Sequence, residues 1–470
     1  MDRIIPVPIQ KNRRASRFSH VLENLPFLIF SVLLLNGAAL AEEKGVEKQF
    51  TLDNGMKVFL YERHNLPLVN IVAAVNAGSK DETAETNGLV HMLEHYILFR
   101  GTEVRSGSEV ARDIRRHGAY FNAHTGQDLA IFEISLPAEY TDFGLNNQRE
   151  LLFNLKIDPK ELEAEKEVVL EELSQIQDDP FRYASALLYQ NLFSGHPYGK
   201  PVFGKAENIR SLTAEQMEQF YKIHFVPVNS ALAVVGDFAV KEMEDKVRVC
   251  FGTVKKTNYM PAKFARVPPL PKSIDIEEIL DVQEAYLVIG TAAPDYNSPD
   301  QYAADILTEV LGRGINPLLY RPLKANRNLI NTAGMGFFSF KYGGAFEVYL
   351  TLEPRRLAAA KNQAVQFLRQ AVRSENFSRD DVIGDEKMYT YDLLESAKNQ
   401  ISFNVQQAQE SGLGLATSLA MHLLLHENGA PVNYLENIKK VSSSDLRKTA
   451  AKYFSRNEYV LVAIVPKKKK

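Results

Sequence analysis

The segment His91-Met92-Leu93-Glu94-His95 contains residue types that could carry out hydrolytic chemistry. Positions four apart lie on one face of an α-helix, so His91 and His95 could present two imidazole nitrogens to one metal ion. Glu94 would point to the same side, where a carboxylate can take a proton from metal-activated water. A hydrolytic zinc site needs three protein ligands and one open position. The spacing therefore predicts a zinc hydrolase whose third ligand comes from elsewhere in the chain.

A glutamate-rich segment could supply that third ligand. Residues 158–176 are predicted to form a long helix, in which Glu172 lies 77 positions after His95. Glu165 and Glu172 are seven residues apart and share a helix face. Glu171 is turned by about 100° from Glu172 at 3.6 residues per turn. The spacing alone does not choose among these glutamates, and most of them are expected to form a solvated helix face.

Two other features could be mistaken for chemistry. His422 and His426 are also four apart, in MHLLLHENG, but the residue at the glutamate position is Leu425, so we interpret this pair as structural. Cys250 is the single cysteine and lies in the apolar sequence VRVCFG. It cannot form an intramolecular disulfide, and we interpret it as a small buried hydrophobic residue rather than a nucleophile.

The elements around the zinc motif follow from hydrophobic periodicity and turn signals. Asp53-Asn54-Gly55 is a strong hairpin signal between two strand-like segments. The period then becomes helical from Gly88. The remaining predicted elements are a helix at 105–117, strands at 119–137, a strand at 284–294, a helix from about Asp300 and strands within 335–352.

An internal repeat indicates duplication. ENIRSLTAEQMEQFYKIHF begins at Glu207 and ENIKKVSSSDLRKTAAKYF begins at Glu436, an ungapped offset of 229 residues, and an apolar strand follows each. Residues 251–272 contain four prolines and no clear period, which is typical of a linker. The sequence therefore predicts two domains of similar fold, at 42–250 and 273–470.

The N-terminus has the layout of a secretory signal peptide. KNRRASR at 11–17 is basic, LPFLIFSVLLL at 25–35 is apolar, and Ala39-Leu40-Ala41 follows. The apolar stretch is short for a membrane span, which needs about 20 residues. We expect cleavage after residue 41 and a periplasmic mature chain, with an uncleaved anchor as the alternative. The signal segment carries five basic and two acidic residues, so its removal changes the net charge from -3 to -6 and argues against nucleic-acid binding.

Four motifs together resemble the pitrilysin family of metallopeptidases, whose inverted zinc motif is His-x-x-Glu-His. They are GLVHMLEHYILFRGT, NAHTGQD, EKEVVLEEL and HPYGKPVFGKAENI, and the similarity extends from about residue 47 to 466. The resemblance implies an α+β fold of two homologous domains, each a mostly antiparallel sheet with helices packed on it. It implies zinc ligands His91, His95 and Glu172, with Glu94 as general base and Glu165 as a supporting acidic residue.

The resemblance also implies a peptide-binding edge strand at residues 120–125. An extended peptide would add to this strand through backbone hydrogen bonds, with little demand on its sequence. Asn122, Ala123 and His124 are the expected substrate-contacting residues. We interpret His124 as a strand side chain rather than a fourth metal ligand. An ordinary sheet strand without a binding role is the alternative.

The C-terminal half departs from the family pattern. Active members use an Arg and a Tyr seven residues apart, and the matching positions here are Lys324 and Asn331. Lysine keeps the charge but loses the bidentate fork, asparagine lacks the phenol, and Arg327 matches a different position. A lost oxyanion donor can cost about 2.7–4 kcal/mol of transition-state stabilisation. We therefore expect a heterodimer in which a homologous chain without the zinc motif supplies Arg and Tyr, with a single chain that works alone through a weaker site as the alternative.

Three alternatives remain open from the sequence. The chain could be a non-catalytic structural or binding subunit, although a glutamate base beside three metal ligands argues against that. It could be a peptidase dedicated to one precursor peptide. Manganese or cobalt could also occupy the site, although the His/His/Glu ligand set favours zinc.

Overall fold

The N-terminal half of the chain alternates strands and helices around one sheet. The protein is described by a computed structural model that covers residues 46–313, 317–325, 327–371, 380–384, 387–426, 433–455 and 458–467. The predicted signal segment, 1–41, lies outside these residues. The elements are β1 (Val46–Thr51), β2 (Lys57–Glu62), β3 (Leu68–Val75), α1 (Leu89–Phe99), α2 (Gly107–Arg116), β4 (Tyr120–Thr125), β5 (Ala130–Pro137), α3 (Thr141–Phe153), α4 (Pro159–Asp178), α5 (Pro180–Leu192), α6 (Ala206–Ser211), α7 (Ala214–His224), β6 (Ser230–Gly236) and α8 (Val240–Phe251).

The C-terminal half has a similar series of elements. These are β7 (Ile274–Leu280), β8 (Ala285–Ala293), α9 (Gln301–Thr308), β9 (Thr332–Phe340), β10 (Gly343–Leu352), α10 (Leu357–Ala371), β11 (Asp380–Gly384), β12 (Lys387–Tyr391), α11 (Leu393–Glu410), α12 (Gly412–Leu425), α13 (Tyr434–Lys440), α14 (Ser443–Phe454) and β13 (Val460–Pro466). Two π-helical turns, Glu309–Arg313 and Arg321–Ala325, separate α9 from β9. Residues 252–273, between α8 and β7, contain neither helix nor strand.

Local sequence accounts for the elements nearest the zinc motif. Gly55 has φ +94° in the predicted β1–β2 hairpin turn, a conformation that an L side chain rarely adopts. Asp158 caps α4, because its carboxylate accepts hydrogen bonds from the amides of Lys160 and Glu161, and Pro159 occupies the first helical position. The long helix therefore begins where the sequence predicts it.

Both sheets have the same strand order, which confirms the predicted two-domain α+β fold. The N-terminal sheet runs β1-β2-β6-β3-β5-β4 and the C-terminal sheet runs β7-β13-β8-β10-β9. In each sheet one pair is parallel, β2 with β6 and β7 with β13, and the remaining pairs are antiparallel. Among the strands that the structure describes, β1 alone has no counterpart in the C-terminal sheet. The repeated helix-strand segments end in β6 and β13, which occupy equivalent positions.

Each half lends one helix to the other half's sheet. Helix α5 packs on β8 and β13, whereas α12 packs on β2, β3, β5 and β6. One face of the N-terminal sheet, including Val72 and Ala233, therefore shares a buried cluster with Leu419 and Ala420 of α12. The opposite face packs on α1, α3, α7 and α8, where Leu93 and Leu151 are buried. Neither half thus has a complete core without the crossing helix.

Within the described ranges, no helix combines the length and the apolar character that crossing a membrane requires.

Candidate metal centre

The zinc motif lies on α1, which packs against α4 and the edge strand β4. Leu89, Val90, Met92 and Leu93 are buried in the N-terminal core and fix the rotation of the helix. His91 and Glu94 are also buried, and His95 is half-buried. The predicted helical face thus exists, with the polar side chains directed towards α4.

The two histidines and Glu172 come together in space. His95 Nε2 lies 3.0 Å from Glu172 Oε2, and His91 Nε2 lies 3.7 Å from the same oxygen. The imidazole rings stand edge to face, with centroids 4.7 Å apart. One ligand atom from each of the three residues lies within 4.8 Å of the others, and the described part of the chain contains no second group of this kind.

This geometry selects Glu172 from the glutamates of α4. Glu167 and Glu171 are exposed, and they belong to the solvated helix face that the sequence predicts. Glu172 is half-buried, and a hydrogen bond with His95 lowers the pKa of its carboxyl. The structure thus distinguishes two neighbouring residues, Glu171 and Glu172, that spacing alone left open.

Glu165 supports His95 from the other side of the imidazole. His95 Nδ1 lies 3.0 Å from Glu165 Oε1, and the Arg100 guanidinium contacts the second oxygen of the same carboxylate. Burial alone would lower the pKa of His95, but the hydrogen bonds with Glu165 and Glu172 raise it to about 9. A metal-ligating histidine commonly donates its second N–H to a carboxylate, which fixes the ring orientation. Glu165 therefore occupies the supporting position that the resemblance implies.

His91 differs sharply from His95. Burial, and to a smaller extent the neighbouring His95, lowers the pKa of His91 to about 4, so its imidazole is neutral at pH 7. A neutral imidazole is the form that binds metals. Its Nδ1 is buried and has no hydrogen-bond partner among the described residues. Phe203 packs edge to face on this ring at 4.8 Å and excludes water from one side.

Glu94 has the properties of a general base beside the three candidate ligands. Burial raises the pKa of its carboxyl, the nearby Thr125 hydroxyl opposes the rise, and Oε2 makes no hydrogen bond within the described chain. A buried unpaired carboxylate oxygen is costly unless something at the site uses it. A raised pKa brings a carboxylate nearer to the pH at which it can accept and return protons.

The donor set fits a divalent metal such as zinc. Two imidazoles and one carboxylate are the ligand types of hydrolytic zinc sites, which hold the ion at about 2.0–2.2 Å. Small side-chain rotations would close the observed 4.8 Å span around an ion. His91, His95 and Glu172 are the residues that would hold it.

Strand β4 lies at the edge of the sheet, as the resemblance implies. It pairs with β5 only, so its outer edge faces no other strand of the described chain. Ala123 is buried, whereas Asn122 is half-buried and donates a hydrogen bond to the Tyr120 hydroxyl at 3.0 Å. His124 Nε2 lies 3.5 Å from the buried Glu133, outside the metal group, which agrees with its interpretation as a strand side chain.

Lys324 and Asn331 are both engaged within this chain. Lys324 lies in the second π-helical turn, and its Nζ donates to the Ile330 carbonyl at 3.0 Å. Asn331 Nδ2 donates to Glu284 Oε2 at 2.7 Å. Arg327 is exposed. Neither substituted position is among the residues that contact the metal group.

His422 and His426 do not belong to the candidate centre. They lie at the end of α12 and just after it, with rings 4.9 Å apart, and no carboxylate joins them in a metal group within the described residues. Cys250 is half-buried near the end of α8 rather than fully buried. Burial raises the pKa of its thiol to about 11, which makes it a poor nucleophile.

Sequence reasoning missed the support around the start of α1. Glu82 is buried and accepts hydrogen bonds from the amides of Val90 and Gly88, at 2.8 and 2.9 Å. Burial raises the pKa of Glu82 to about 7, although these amides oppose the rise. In the sequence, Phe203 stands out only as part of the family-like motif HPYGKPVFGKAENI. The only sequence signal for Glu82 is an acidic residue six positions before the glycine that precedes the helix.

Comparisons with known proteins agree with this architecture. Residues 57–206 match the family model described as insulinase (peptidase family M16), and residues 211–383 match the one described as peptidase M16 inactive domain. A zinc protease of Rickettsia felis is 25% identical over 412 residues, covering 86% of this chain and 94% of that protein. A zinc protease of Bacillus subtilis is 25% identical over 306 residues, covering 64% and 73% respectively.

Solved structures show the same fold at lower identity. A protease from Helicobacter pylori has a TM-score of 0.81 at 21% identity, covering 90% of this chain and all of that one. A peptidase M16 inactive domain from Pseudomonas fluorescens has a TM-score of 0.77 at 18% identity, covering 90% of this chain and 99% of that one.

Proposed function

Because the chain belongs to peptidase family M16, we propose that it is the zinc-binding subunit of an endopeptidase that hydrolyses peptides or small unfolded proteins. The observation that carries this proposal is the juxtaposition of His91, His95 and Glu172 with the buried, unpaired Glu94 oxygen. A purely structural subunit has no use for an unpaired base beside three metal ligands.

In the proposed reaction, each side chain at the site has a separate role. Zinc, when bound, supplies a Lewis acid that activates water and polarises the scissile carbonyl. Glu94 Oε2 accepts the proton of the attacking water and returns it to the leaving amine nitrogen. Glu165 holds His95 in a fixed ring orientation, and Arg100 holds Glu165. An extended peptide adds to the outer edge of β4, where Asn122 helps to position it.

We further propose that a homologous partner chain completes the site. Lys324 and Asn331 stand where active relatives carry Arg and Tyr, and both side chains bond within this chain. A partner without the zinc motif would supply the missing donors across the heterodimer interface. The predicted signal segment, which lies outside the residues that the structure describes, favours a periplasmic location.

A non-catalytic subunit is the second candidate, favoured by the same internal bonding of Lys324 and Asn331. Cleavage of a quenched fluorescent peptide distinguishes the two candidates. The mature chain is assayed alone and with the partner, each with and without a chelator. We expect activity only with the partner, and its loss on chelation. Full activity of the single chain would contradict the partner requirement, and no activity in any arm despite bound zinc would favour the non-catalytic subunit.

Zinc binding tests the ligand assignment separately. Glu172→Gln removes a charged ligand and is expected to weaken zinc binding by more than the roughly 10–100-fold that an outer-shell change costs. Glu171→Gln is the matched control, because Glu171 is the exposed neighbour on the same helix. Chelator competition on both purified variants measures the two affinities. Equal weakening by both changes would contradict the assignment of Glu172.

A further inference from the structure

The first turn of the metal-binding helix α1 lacks a cap of its own. The first amides of an α-helix have no partner within the helix. The N-cap residue is Gly88, which has φ +100° and no side chain, and the first turn contains no acidic residue. The amides must therefore find acceptors elsewhere in the chain.

The carboxylate of Glu82, six residues before Gly88, supplies acceptors for two of these amides. Glu82 Oε1 accepts from the Val90 amide at 2.8 Å, and Oε2 accepts from the Gly88 amide at 2.9 Å. The Asn87 side-chain amide donates to the same Oε2 at 2.8 Å. Glu82 is only 5% exposed, so water cannot easily replace these bonds. A carboxylate at this end also interacts favourably with the helix dipole.

The loop at residues 196–204 holds this arrangement in place. The Lys200 ammonium contacts the Glu82 carbonyl, and Asn87 Nδ2 also donates to the Pro201 carbonyl at 2.9 Å. The same loop places Phe203 against the His91 ring. A Cβ atom at Gly204 would lie 2.5 Å from the Gly88 Cα, so the loop backbone touches the start of α1. The beginning of α1 is therefore fixed from two directions.

We propose that Glu82 is a positioning residue for the metal centre. Its carboxylate is bonded to the amide of Val90, the residue immediately before His91. The bond fixes the first turn of α1 and thereby the direction in which His91 presents its imidazole. The inference rests on the proposed function, since it requires that this site binds zinc.

The alternative is that Glu82 only stabilises the fold, and zinc binding separates the two roles. In Glu82→Gln the new NH₂ group replaces one of the two acceptor oxygens. It must face either the Val90 amide or the Gly88 and Asn87 amides, so at least one of the present hydrogen bonds is lost. If Glu82 positions His91, zinc affinity falls about tenfold, the lower end of outer-shell effects. The thermal shift produced by zinc shrinks, and the cobalt-substituted protein changes its visible spectrum.

Glu62→Gln is the matched control. Glu62 Oε2 accepts a hydrogen bond from the Val240 amide at 2.7 Å, at the start of α8, a helix that carries no candidate ligand. This control is expected to lower the melting temperature while leaving zinc affinity and the cobalt spectrum unchanged. Unchanged zinc affinity and cobalt spectrum in Glu82→Gln would overturn the inference.

Two arms keep the test decisive. If Glu82→Gln is not recovered folded, Asn87→Ala removes the amide that holds Glu82 and is expected to weaken zinc binding about threefold, a fraction of an outer-shell effect. Unchanged affinity in that folded variant overturns the inference. A parent chain that binds no zinc overturns the proposed function itself, an outcome distinct from a Glu82 effect that is absent in a zinc-binding parent.

Discussion

The two halves of the molecule have the same strand order and different chemistry. In the N-terminal half, the first α-helix between β3 and β4 is α1, which carries both histidines and Glu94. In the C-terminal half, the helix at the same topological position is α9, whose sequence QYAADILT contains no histidine. The same strand order thus forms with and without metal ligands, because strand pairing does not depend on them.

The contacts that join the halves are better preserved than the site. Ser185 of α5 donates a hydrogen bond to the buried Glu347 of the C-terminal sheet. Thr417 of α12 donates one to the buried Glu133 of the N-terminal sheet. Glu133 and Glu347 occupy equivalent strands, β5 and β10. Each crossing helix thus satisfies one buried carboxylate of the opposite sheet.

Steric volume at this junction is redistributed between the halves. Gly290 of β8 faces Leu188 of α5, and a Cβ at Gly290 would lie 2.6 Å from Leu188 Cδ1. In the N-terminal sheet the residue opposite the buried glutamate is Val72, as Gly290 is opposite Glu347. The helix position that corresponds to Leu188, three residues after the hydroxyl donor, is Ala420. In the N-terminal sheet the larger side chain, Val72, is on the strand and faces a small helix residue. In the C-terminal sheet the larger side chain, Leu188, is on the helix and faces Gly290.

The largest expected effect belongs to the chemistry that only one half carries. Glu94→Gln should lower kcat/KM by about 10²–10⁴, the range for a lost general acid–base group, with zinc still bound. Peptide cleavage and zinc content measure the two quantities. Asp305→Asn, on α9 of the other half, is the comparison variant and should retain activity. An active Glu94→Gln variant, or loss of activity in Asp305→Asn, would break the functional contrast.

Asp305 itself should make the C-terminal half sensitive to pH. Burial raises the pKa of this carboxyl from 3.8 to about 7, and the Tyr434 hydroxyl, which donates to it at 2.7 Å, opposes the rise. A raised pKa means that the folded state holds the proton more tightly. The contribution of Asp305 to the free energy of unfolding is therefore fully present below about pH 4 and is lost as the pH rises towards 7. The loss is about 1.4 kcal/mol for each unit of pKa difference.

Asp305→Asn removes this titration. Its stability relative to the parent should therefore rise between pH 4 and pH 7 and then stay level. Urea unfolding at several pH values measures the difference. A constant difference across that range would show that Asp305 does not titrate with a raised pKa.

The next prediction concerns side-chain volume where α5 packs on β8. Its expected effect on the free energy of unfolding is smaller than the effect of Glu94→Gln on catalysis. Leu188→Ala empties a fully buried position and should destabilise the fold by about 3 kcal/mol, within the usual 2–5 kcal/mol for such changes. Gly290→Ala alone should also destabilise, because its Cβ meets Leu188. The double variant should lose less than the sum of both, because the new methyl enters the vacated space. Strict additivity in thermal unfolding would refute the redistribution of volume.

The smallest effects concern the paired hydroxyl donors. Ser185→Ala and Thr417→Val each leave a buried carboxylate without one donor, at a cost of about 1–3 kcal/mol. The two costs should be similar, since each carboxylate keeps a second polar neighbour: His124 lies 3.5 Å from Glu133, and Tyr189 forms a hydrogen bond with Glu347. Urea unfolding of the two variants gives the comparison. A much larger loss for one variant would contradict the view that the second neighbours, His124 and Tyr189, support the two carboxylates equally.

Much of the N-terminal half could be predicted from the sequence, since its elements have strong local signals. The predicted helix at 158–176 agrees closely with α4, because Asp158 and Pro159 mark its start. The strands predicted within 119–137 are β4 and β5; burial alternates only towards the end of β4, whereas β5 is buried along most of its length because both faces of the sheet are covered. The His-x-x-Glu-His spacing predicted the shared helical face because it depends only on helix geometry.

Other features could not be predicted, because they depend on contacts between distant segments. The amphipathic pattern of α5 does not reveal that it covers the opposite sheet. Helix α12 is apolar almost all round because it is enclosed between the halves, and the sequence GLGLATSLAMHLLL shows burial without showing its partner. The choice between Glu171 and Glu172 likewise depends on how α4 is rotated against α1.

The exchange of α5 and α12 has a consequence for the covalent continuity of the chain. Residues 252–273 join the halves without forming helix or strand, while the exchanged helices carry the buried apolar contacts between them. After cleavage by a protease within this connection, the two fragments should therefore remain bound through α5 and α12, as two chains do in a domain-swapped dimer. The covalent connection also raises the effective concentration of one half near the other during folding. Neither fragment, expressed by itself, should form a soluble folded domain.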